Sequence, residues 1–324
     1  MTSLTAIDAI QTLPSLLTSG PWLANHGPVI RNSRPALATA VYLWSATDLH
    51  SLAGLQILQE WSAQYRPYRL DVVAVHRPHF AFEEQPAVVQ SALARHSITL
   101  PVINDAEQTI WRALNSQAWP RLLILDGAGT VRHDTYGLDQ LSEAETTVRQ
   151  LLYGLGRQAL PEMSLRYHQH RHGRICWPTN PYTHLGDARG HRKRVTHPEA
   201  PGVALTGTWD STADAVLGHA GPSHPTLALT FAAHTVGLVA APVQGTSQLD
   251  LAIDGLRPTD HPWGEEVVAN GLRGQLTLTE PRLYQVVSSE RYLPGARLTL
   301  TVRSGDIAAY AFNFQGCPPQ VLHN

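Results

Sequence analysis

Asp48, His50 and Ser51 stand within four positions of one another, and His76 lies further along the same half of the chain. A carboxylate, an imidazole and a hydroxyl are the parts of a hydrolytic triad, with Ser51 as nucleophile and His50 as base. Adjacent positions on a first helical turn point in different directions, so His50 would reach Ser51 poorly. Asp48, His50 and His76 could instead form a carboxylate and imidazole site for Zn, Fe or Cu, the basis of a metal-dependent enzyme or carrier. A second set is His168, His170 and His172, whose alternation puts them on one face of an extended chain, with Cys176 close behind. Such a cluster can hold a divalent metal. An exposed, soluble connector accounts for it more simply. Only two cysteines exist, Cys176 and Cys317. No Cys-x-x-Cys can be built from them, which excludes an adjacent dithiol and an all-cysteine zinc site. Cys176 alone could serve as a mixed-disulfide redox group. A Cys176–Cys317 bridge is not expected in a reducing cytoplasm.

The other residue types narrow the chemistry further. Of 24 Lys and Arg, only Lys193 is a lysine. It sits between Arg192 and Arg194, which suits neither a phosphate-binding loop nor a Schiff base. Residues 166–197 carry seven basic residues and one acid, so +6, leaving −8 for the rest of a chain of net charge −2. The Arg/Lys cluster within it lacks interleaved aromatics, so nucleic acid is not an expected partner. No apolar run is long enough to cross a membrane, which takes about 18–20 residues. The N-terminal run Met1 to Asp8 has no basic segment leading into a long apolar one. A cytoplasmic protein without a membrane span is the expectation.

The elements that must position these residues follow from the apolar periodicity. Thr39–Ser45 reads as a buried strand. From Asp48 onward Leu49, Leu52, Leu55, Leu58 and Trp61 recur at helical spacing. Strands follow at 69–76, 98–104, 121–126 and 130–136, with helices at about 84–96 and 108–115. A last helix starts at Ser142, where Glu145 three residues on would complete a capping box. This alternation predicts an α/β sheet covered on both faces. From 203 onward the runs 203–209, 226–232, 235–241, 247–254, 273–279, 282–288, 296–303 and 306–314 are strand-like, without helices. They predict an antiparallel sandwich or jelly roll. The expected organisation is residues 1–160, a His/Arg-rich connector over 161–200, and residues 201–324.

The first half resembles thioredoxin-like redoxin domains of the TlpA type. The matching stretches are Tyr42-Leu-Trp-Ser-Ala-Thr-Asp48, Val73-Ala-Val-His76, Asn104-Asp-Ala-Glu-Gln-Thr-Ile-Trp-Arg-Ala-Leu-Asn115 and Ala118-Trp-Pro120. The second half resembles the C-terminal domain of DipZ-type proteins, a fold like that of carbohydrate-binding modules. It does so through Pro181-Tyr-Thr-His-Leu185-Gly186, Leu205-Thr-Gly207-Thr-Trp209, Asp254-Gly255, Arg282-Leu-Tyr284 and Ala309-Tyr-Ala-Phe312-Asn-Phe314. Together the two cover about residues 20–318.

The first resemblance implies a strand leading into Cys-x-x-Cys at a helix N-terminus, with a cis-proline beside the thiols. Here Asp48-Leu49-His50-Ser51 occupies the dithiol position and Pro120 that of the cis-proline. Asp48 is a good helix cap and not a redox nucleophile. The expectation is therefore a thioredoxin-like protein without dithiol oxidoreductase activity, not expected to be an enzyme, working as a protein- or peptide-binding or assembly module. Scaffolds of this kind bind extended peptides beside the cis-proline. The implied contact patch is Trp44, Asp48, His50, Ser51, His76, Trp119 and Pro120, with no cofactor expected. In the second half a sugar ligand would need an aromatic platform. The candidates are Trp209, Trp263, Tyr284, Tyr292, Tyr310 and Phe312, of which Trp263 is the one expected to be exposed.

Overall fold

The computed structural model describes residues 13, 15–23, 27, 35–153, 160–163, 176–188, 202–256 and 262–317. The chain divides into two compact units, Met1–Gly173 and Arg174–Asn324.

The first unit is an α/β domain. Its strands are β1 (Ala38–Trp44), β2 (Leu70–His76), β3 (Val102–Asn104), β4 (Arg121–Asp126) and β5 (Val131–Tyr136). They form one sheet in the order β3-β2-β1-β4-β5. β1 and β2 are parallel, as are β2 and β3, whereas β4 runs antiparallel to both β1 and β5. β1, β2 and β4 are apolar along almost their whole length, as strands covered on both faces must be. The helices are α1 (Leu49–Tyr65), α2 (Pro86–Arg95), α3 (Thr109–Ala113) and α4 (Leu141–Tyr153). Asp48 caps α1 from an extended backbone, as its residue type and position predicted. The capping box expected at Ser142 does not form. α4 already begins at Leu141, and Glu145 instead faces inward, taking a 2.6 Å hydrogen bond from the Tyr65 hydroxyl.

The second unit is an antiparallel β-structure. Its strands are β6 (Thr183–His184), β7 (Val203–Thr206), β8 (Trp209–Ser211), β9 (Val216–Gly218), β10 (Thr226–Pro242), β11 (Ser247–Asp254), β12 (Val267–Asn270), β13 (Arg273–Leu278), β14 (Arg282–Ser304) and β15 (Ile307–Gln315). The runs expected separately at 226–232 and 235–241 are one strand, β10, and those at 282–288 and 296–303 are also one, β14. The reason lies in what interrupts them. No tight turn separates the paired runs, and the ladder between β10 and β14 absorbs the irregular residues as register shifts around Phe231–Thr235 and Val236–Gly237. The N-terminal part of β10 pairs with β7 and with the C-terminal part of β14. Its C-terminal part pairs with β15 and with the N-terminal part of β14. Two long, bulged strands thus pass from one face of the core to the other, a corner device of β-sandwiches. A single apolar cluster, from Leu249 and Leu276 to Ile307 and Phe312, fills the interior. Residues 176–188, expected within a connector, belong to this unit and supply β6 at the edge of β15. No helix among the described residues is long and apolar enough to cross a membrane.

Candidate functional site

The parallel pairing of β1 with β2 and of β2 with β3 brings three strand ends into one row. Trp44 pairs with His76, and His76 with Asn104. On the other side of β1 the last pair is Leu43 with Arg121, so Pro120 comes next to Trp44. The row Pro120, Trp44, His76, Asn104 therefore lies along the carboxyl ends of β1, β2 and β3, where open α/β sheets commonly place their ligand sites. The Trp119–Pro120 peptide bond is cis. The Trp44 and His76 rings meet edge to face at 5.0 Å.

From Trp44 the chain passes through Ser45, Ala46 and Thr47 to Asp48 and the N-terminus of α1. One residue organises this loop from beneath. Glu83 is fully buried, in the 3-10 turn Ala81–Glu84 that follows β2. Its Oε2 accepts from the Ser45 hydroxyl at 3.0 Å and the Ala46 N–H at 3.1 Å. Its Oε1 accepts from the Thr47 hydroxyl at 2.9 Å and from the N–H groups of His79 and Phe80 at 3.1 and 3.0 Å. His76 Nε2 lies 3.3 Å from Oε2 while its Nδ1 lies 2.9 Å from Asn104 Oδ1. Sequence reasoning missed Glu83. A glutamate in a loop ordinarily faces solvent, and the only signal was its place directly after the apolar run Phe80-Ala81-Phe82.

Asp48 is buried, and its Oδ1 accepts from the Ser51 N–H at 2.6 Å. Burial pushes its carboxyl above the usual aspartate value, against the opposing pull of His50 and of the hydrogen bond from Ser51. Ser51 is also buried, and its Oγ accepts from the Ser45 N–H at 3.3 Å. No hydrogen bond joins His50 to Ser51, so the Asp–His–Ser set is close in space without forming a triad. Nor do Asp48, His50 and His76 assemble as ligands, because both His76 ring nitrogens are engaged by Asn104 and Glu83. Among the described residues no group of three or more His, Cys, Asp or Glu could hold a metal ion. His168, His170 and His172 lie outside the described residues. Cys176 is joined to Cys317, which corrects its reading as a metal ligand or a lone redox thiol. The strand pairing of β6 with β15 brings together two cysteines that sequence distance kept apart.

Of the expected contact patch, Trp44, Ser51 and His76 are without exposed surface. They shape the site from below and cannot touch a partner directly. The outer layer is His50 and Trp119, both half-buried, together with Arg77. The Arg77 guanidinium lies over Trp119 at 5.1 Å and over Trp111 at 5.2 Å. His79 stacks on Phe80 at 4.3 Å and meets the Trp119 ring edge to face at 4.6 Å. Arg121 braces this wall from inside. It forms a two-pronged pair with Asp134, at 2.9 and 2.7 Å, and donates to Leu114 O and Ser116 Oγ at 2.9 and 2.6 Å.

In the second unit Tyr284 and Phe312 are core residues. Trp263 is half-buried and donates its indole N–H to Gly271 O at 2.8 Å, contrary to its expected exposure. The aromatic that is exposed is Trp177, stacked on Tyr292 at 5.6 Å.

Residues 184–315 match the family model described as "Thioredoxin like C-terminal domain". Protein DipZ of Mycobacterium bovis is 28% identical over 148 residues, 45% of this chain and 21% of DipZ. The match thus spans about a fifth of that relative's length. Thiol-disulfide oxidoreductase YkuV of Bacillus subtilis is 26% identical over 146 residues, 44% of this chain and 95% of its own. A solved thioredoxin-like protein in the oxidised form aligns with 42% of this chain and 90% of its own, at 26% identity and a TM-score of 0.36.

Proposed function

We propose that this chain, a TlpA/DipZ-type redoxin domain joined to a DipZ-type C-terminal domain, binds a protein or peptide segment at the redoxin site without performing dithiol exchange there. The observation that carries the reading is what stands at the N-terminus of α1. Asp48 and Ser51 occupy the first turn and are consumed in capping it, Asp48 by accepting from Ser51 N–H and Ser51 by accepting from Ser45 N–H. Neither is a redox group, and neither is presented to solvent. Around them the scaffold is kept, with a cis Trp119–Pro120 bond and an aromatic wall of Trp119, His79 and Phe80. An extended segment beside Pro120 would meet His50, Trp119 and Arg77, a surface of one cation, one imidazole and one indole. That favours a segment carrying an acidic or aromatic side chain. Sugar has no comparable support.

Two measurements test this. In an insulin-reduction assay the full chain is expected to show no turnover above buffer, and rates near those of an ordinary thioredoxin would overturn the reading. A photo-crosslinking residue placed at His50 or at Trp119 is expected to capture the same protein from native lysate. The same group at Tyr153, exposed on α4, should not capture it. Identical capture from all three positions would reject a specific site. The Cys176–Cys317 bridge also bears on location. Disulfides persist in oxidising compartments, so an extracytoplasmic setting fits this chain better than the cytoplasmic one its sequence suggests.

A further inference from the structure

Cys176 and Cys317 are the chain's entire complement of cysteine, and both belong to the second unit, whereas the site described above belongs to the first. The bridge fastens residues 176–188 along the outer edge of β15. That strap is held unevenly. From Thr183 onward it is built into the sheet. Thr183 and His184 pair with Phe312 and Ala311, and the Leu185 N–H donates to Tyr310 O at 2.8 Å. Asn180 pins its middle to β10, donating to Thr230 O at 3.3 Å and accepting from the Ala232 N–H at 2.7 Å. Ahead of Asn180 the attachments among the described residues are few. They are the bridge itself, the Trp177 N–H to Gly316 O at 2.8 Å, the Trp177 stack on Tyr292, the Tyr292 hydroxyl to Pro178 O at 2.5 Å, and close packing of Trp177 and Thr179 over Gly316. Cys176, Trp177 and Pro178 are exposed, and Cys317 is half-buried. Trp177 retains 49% of its surface in solvent.

We propose that Cys176–Cys317 is a thiol–disulfide exchange site for a protein dithiol, and that opening it releases Cys176–Thr179 as a latch hinged at Asn180. Exchange requires a thiolate to approach one sulfur in line with the bond that breaks. The exposed side of the bridge is Cys176, in a short, extended, sheet-free stretch that an attacking protein can engage. The partner's thiolate forms a new bond to Cys176 Sγ as the Cys176–Cys317 bond breaks. The electron pair leaves on Cys317 Sγ, which takes a proton from water. The partner's second thiolate then attacks its own bridged sulfur and expels the Cys176 thiolate, which is protonated in turn. The bridge is reduced by two electrons and the partner's dithiol is oxidised to its disulfide. Without the bridge, what holds the latch among the described residues is one backbone hydrogen bond, one phenol hydrogen bond, one ring stack and packing on Gly316. Beyond Asn180 the pairing to β10 and β15 keeps the rest of the strap in place. The proposal does not depend on what the first unit binds.

The test uses the oxidised full-length chain and a bacterial thioredoxin whose second active-site cysteine has been replaced by serine, so that the mixed disulfide cannot resolve. A covalent one-to-one complex through Cys176 is expected on a non-reducing gel and by peptide mass. The Cys176→Ser/Cys317→Ser double variant should form none. In parallel, the wild type reduced with dithiothreitol is followed by hydrogen exchange. On reduction the Trp177 amide is expected to exchange at least about tenfold faster through a local opening insensitive to low urea, while Leu185 and the β15 amides keep exchanging only through unfolding of the whole unit. Absence of the complex, capture through Cys317, or Trp177 exchange that after reduction still requires unfolding of the whole unit would each overturn the proposal.

Discussion

Donors from Ser45, Ala46, Thr47, His79 and Phe80 converge on the two oxygens of Glu83, and the His76 ring closes the set. A buried carboxylate is tolerable only when its lost hydration is replaced in this way, and removing the charge strands the donors. Glu83→Gln keeps the shape but turns one acceptor oxygen into an amide donor facing other donors. It is expected to lower stability by about 2–4 kcal/mol in urea denaturation. Glu84→Gln, at the exposed neighbour, should change it by less than about 0.5 kcal/mol. Equal effects would mean that Glu83 does not organise the loop. Asp48 was legible in the sequence because a cap precedes a periodic apolar run. Glu83 was not, because its donors come from two loops separated by the whole of α1 and β2. A second residue-scale prediction concerns His219, which follows β9. Its Nδ1 lies 3.0 Å from Asp306 and its Nε2 3.0 Å from Asp210. Hydrogen bonds to Asp306 and then Asp210 raise the imidazole above its ordinary value, while the bond from His219 lowers the Asp306 carboxyl. The raised His219 stabilises the fold below its unfolded value of about 6.5, and that contribution fades as pH climbs through the folded value. The lowered Asp306 contributes above about 3.9, and its contribution is lost as pH falls through its own folded value. The stability difference between wild type and His219→Gln should therefore be largest at about pH 5–6 and shrink towards about pH 8. A difference that grew with pH would contradict the assignment.

At the scale of elements, α1 can lie close on β1 only because Gly54 has no side chain. A Cβ there would come within 1.9 Å of the Tyr42 hydroxyl and 2.6 Å of its Cζ. Tyr42 cannot withdraw, since it is fully buried and its hydroxyl donates to Ser51 O at 3.2 Å. Two effects compete in Gly54→Ala. Helix propensity favours alanine by about 1 kcal/mol, and overpacking a rigid core costs about 1–3 kcal/mol or more. A contact this short puts the cost at the upper end, so net destabilisation of about 2 kcal/mol is expected. Tyr42→Phe should return part of it in a double-mutant cycle, because the atom that clashes most is gone. If Gly54→Ala were neutral, the close approach of α1 to β1 would be wrong. The strand and helix order of the first unit was legible because each element there carries its own periodicity and is bounded by turn residues. In the second unit the same reasoning split β10 and β14 into four strands. Residues 289–295 include charged, proline and glycine positions, which read as a loop from sequence. In the fold they are bulged strand, because Ala232 pairs with Pro294 and Thr235 with Ser288 on either side of the irregularity. A bulge and a loop have the same composition, and only the partner strand distinguishes them.

For the molecule as a whole, the bridge and the two compact units make a joint prediction about unfolding. Cys176 and Cys317 are 141 residues apart, and the loop they close contains nearly all of the second unit and none of the first. Closing so long a loop restricts the unfolded second unit strongly while leaving the unfolded first unit untouched. From sequence the bridge was conceivable, since these are the two cysteines present, but an assumed reducing cytoplasm argued against it. The pairing depends on residues 176–188 docking on β15, and that docking rests on backbone hydrogen bonds with little side-chain signature. Scanning calorimetry of the full chain should therefore resolve two transitions, of which reduction moves one. The Cys176→Ser/Cys317→Ser variant should move the same transition to lower temperature by an amount equivalent to about 2–4 kcal/mol. The other transition should respond to Glu83→Gln and Gly54→Ala and be indifferent to dithiothreitol. Unfolding in a single transition that every variant shifted would mean that the units fold as one cooperative body, and the loop argument would then have to be applied to the whole chain. A second-unit transition indifferent to reduction would mean that native contacts made without the bridge offset its effect on the unfolded chain.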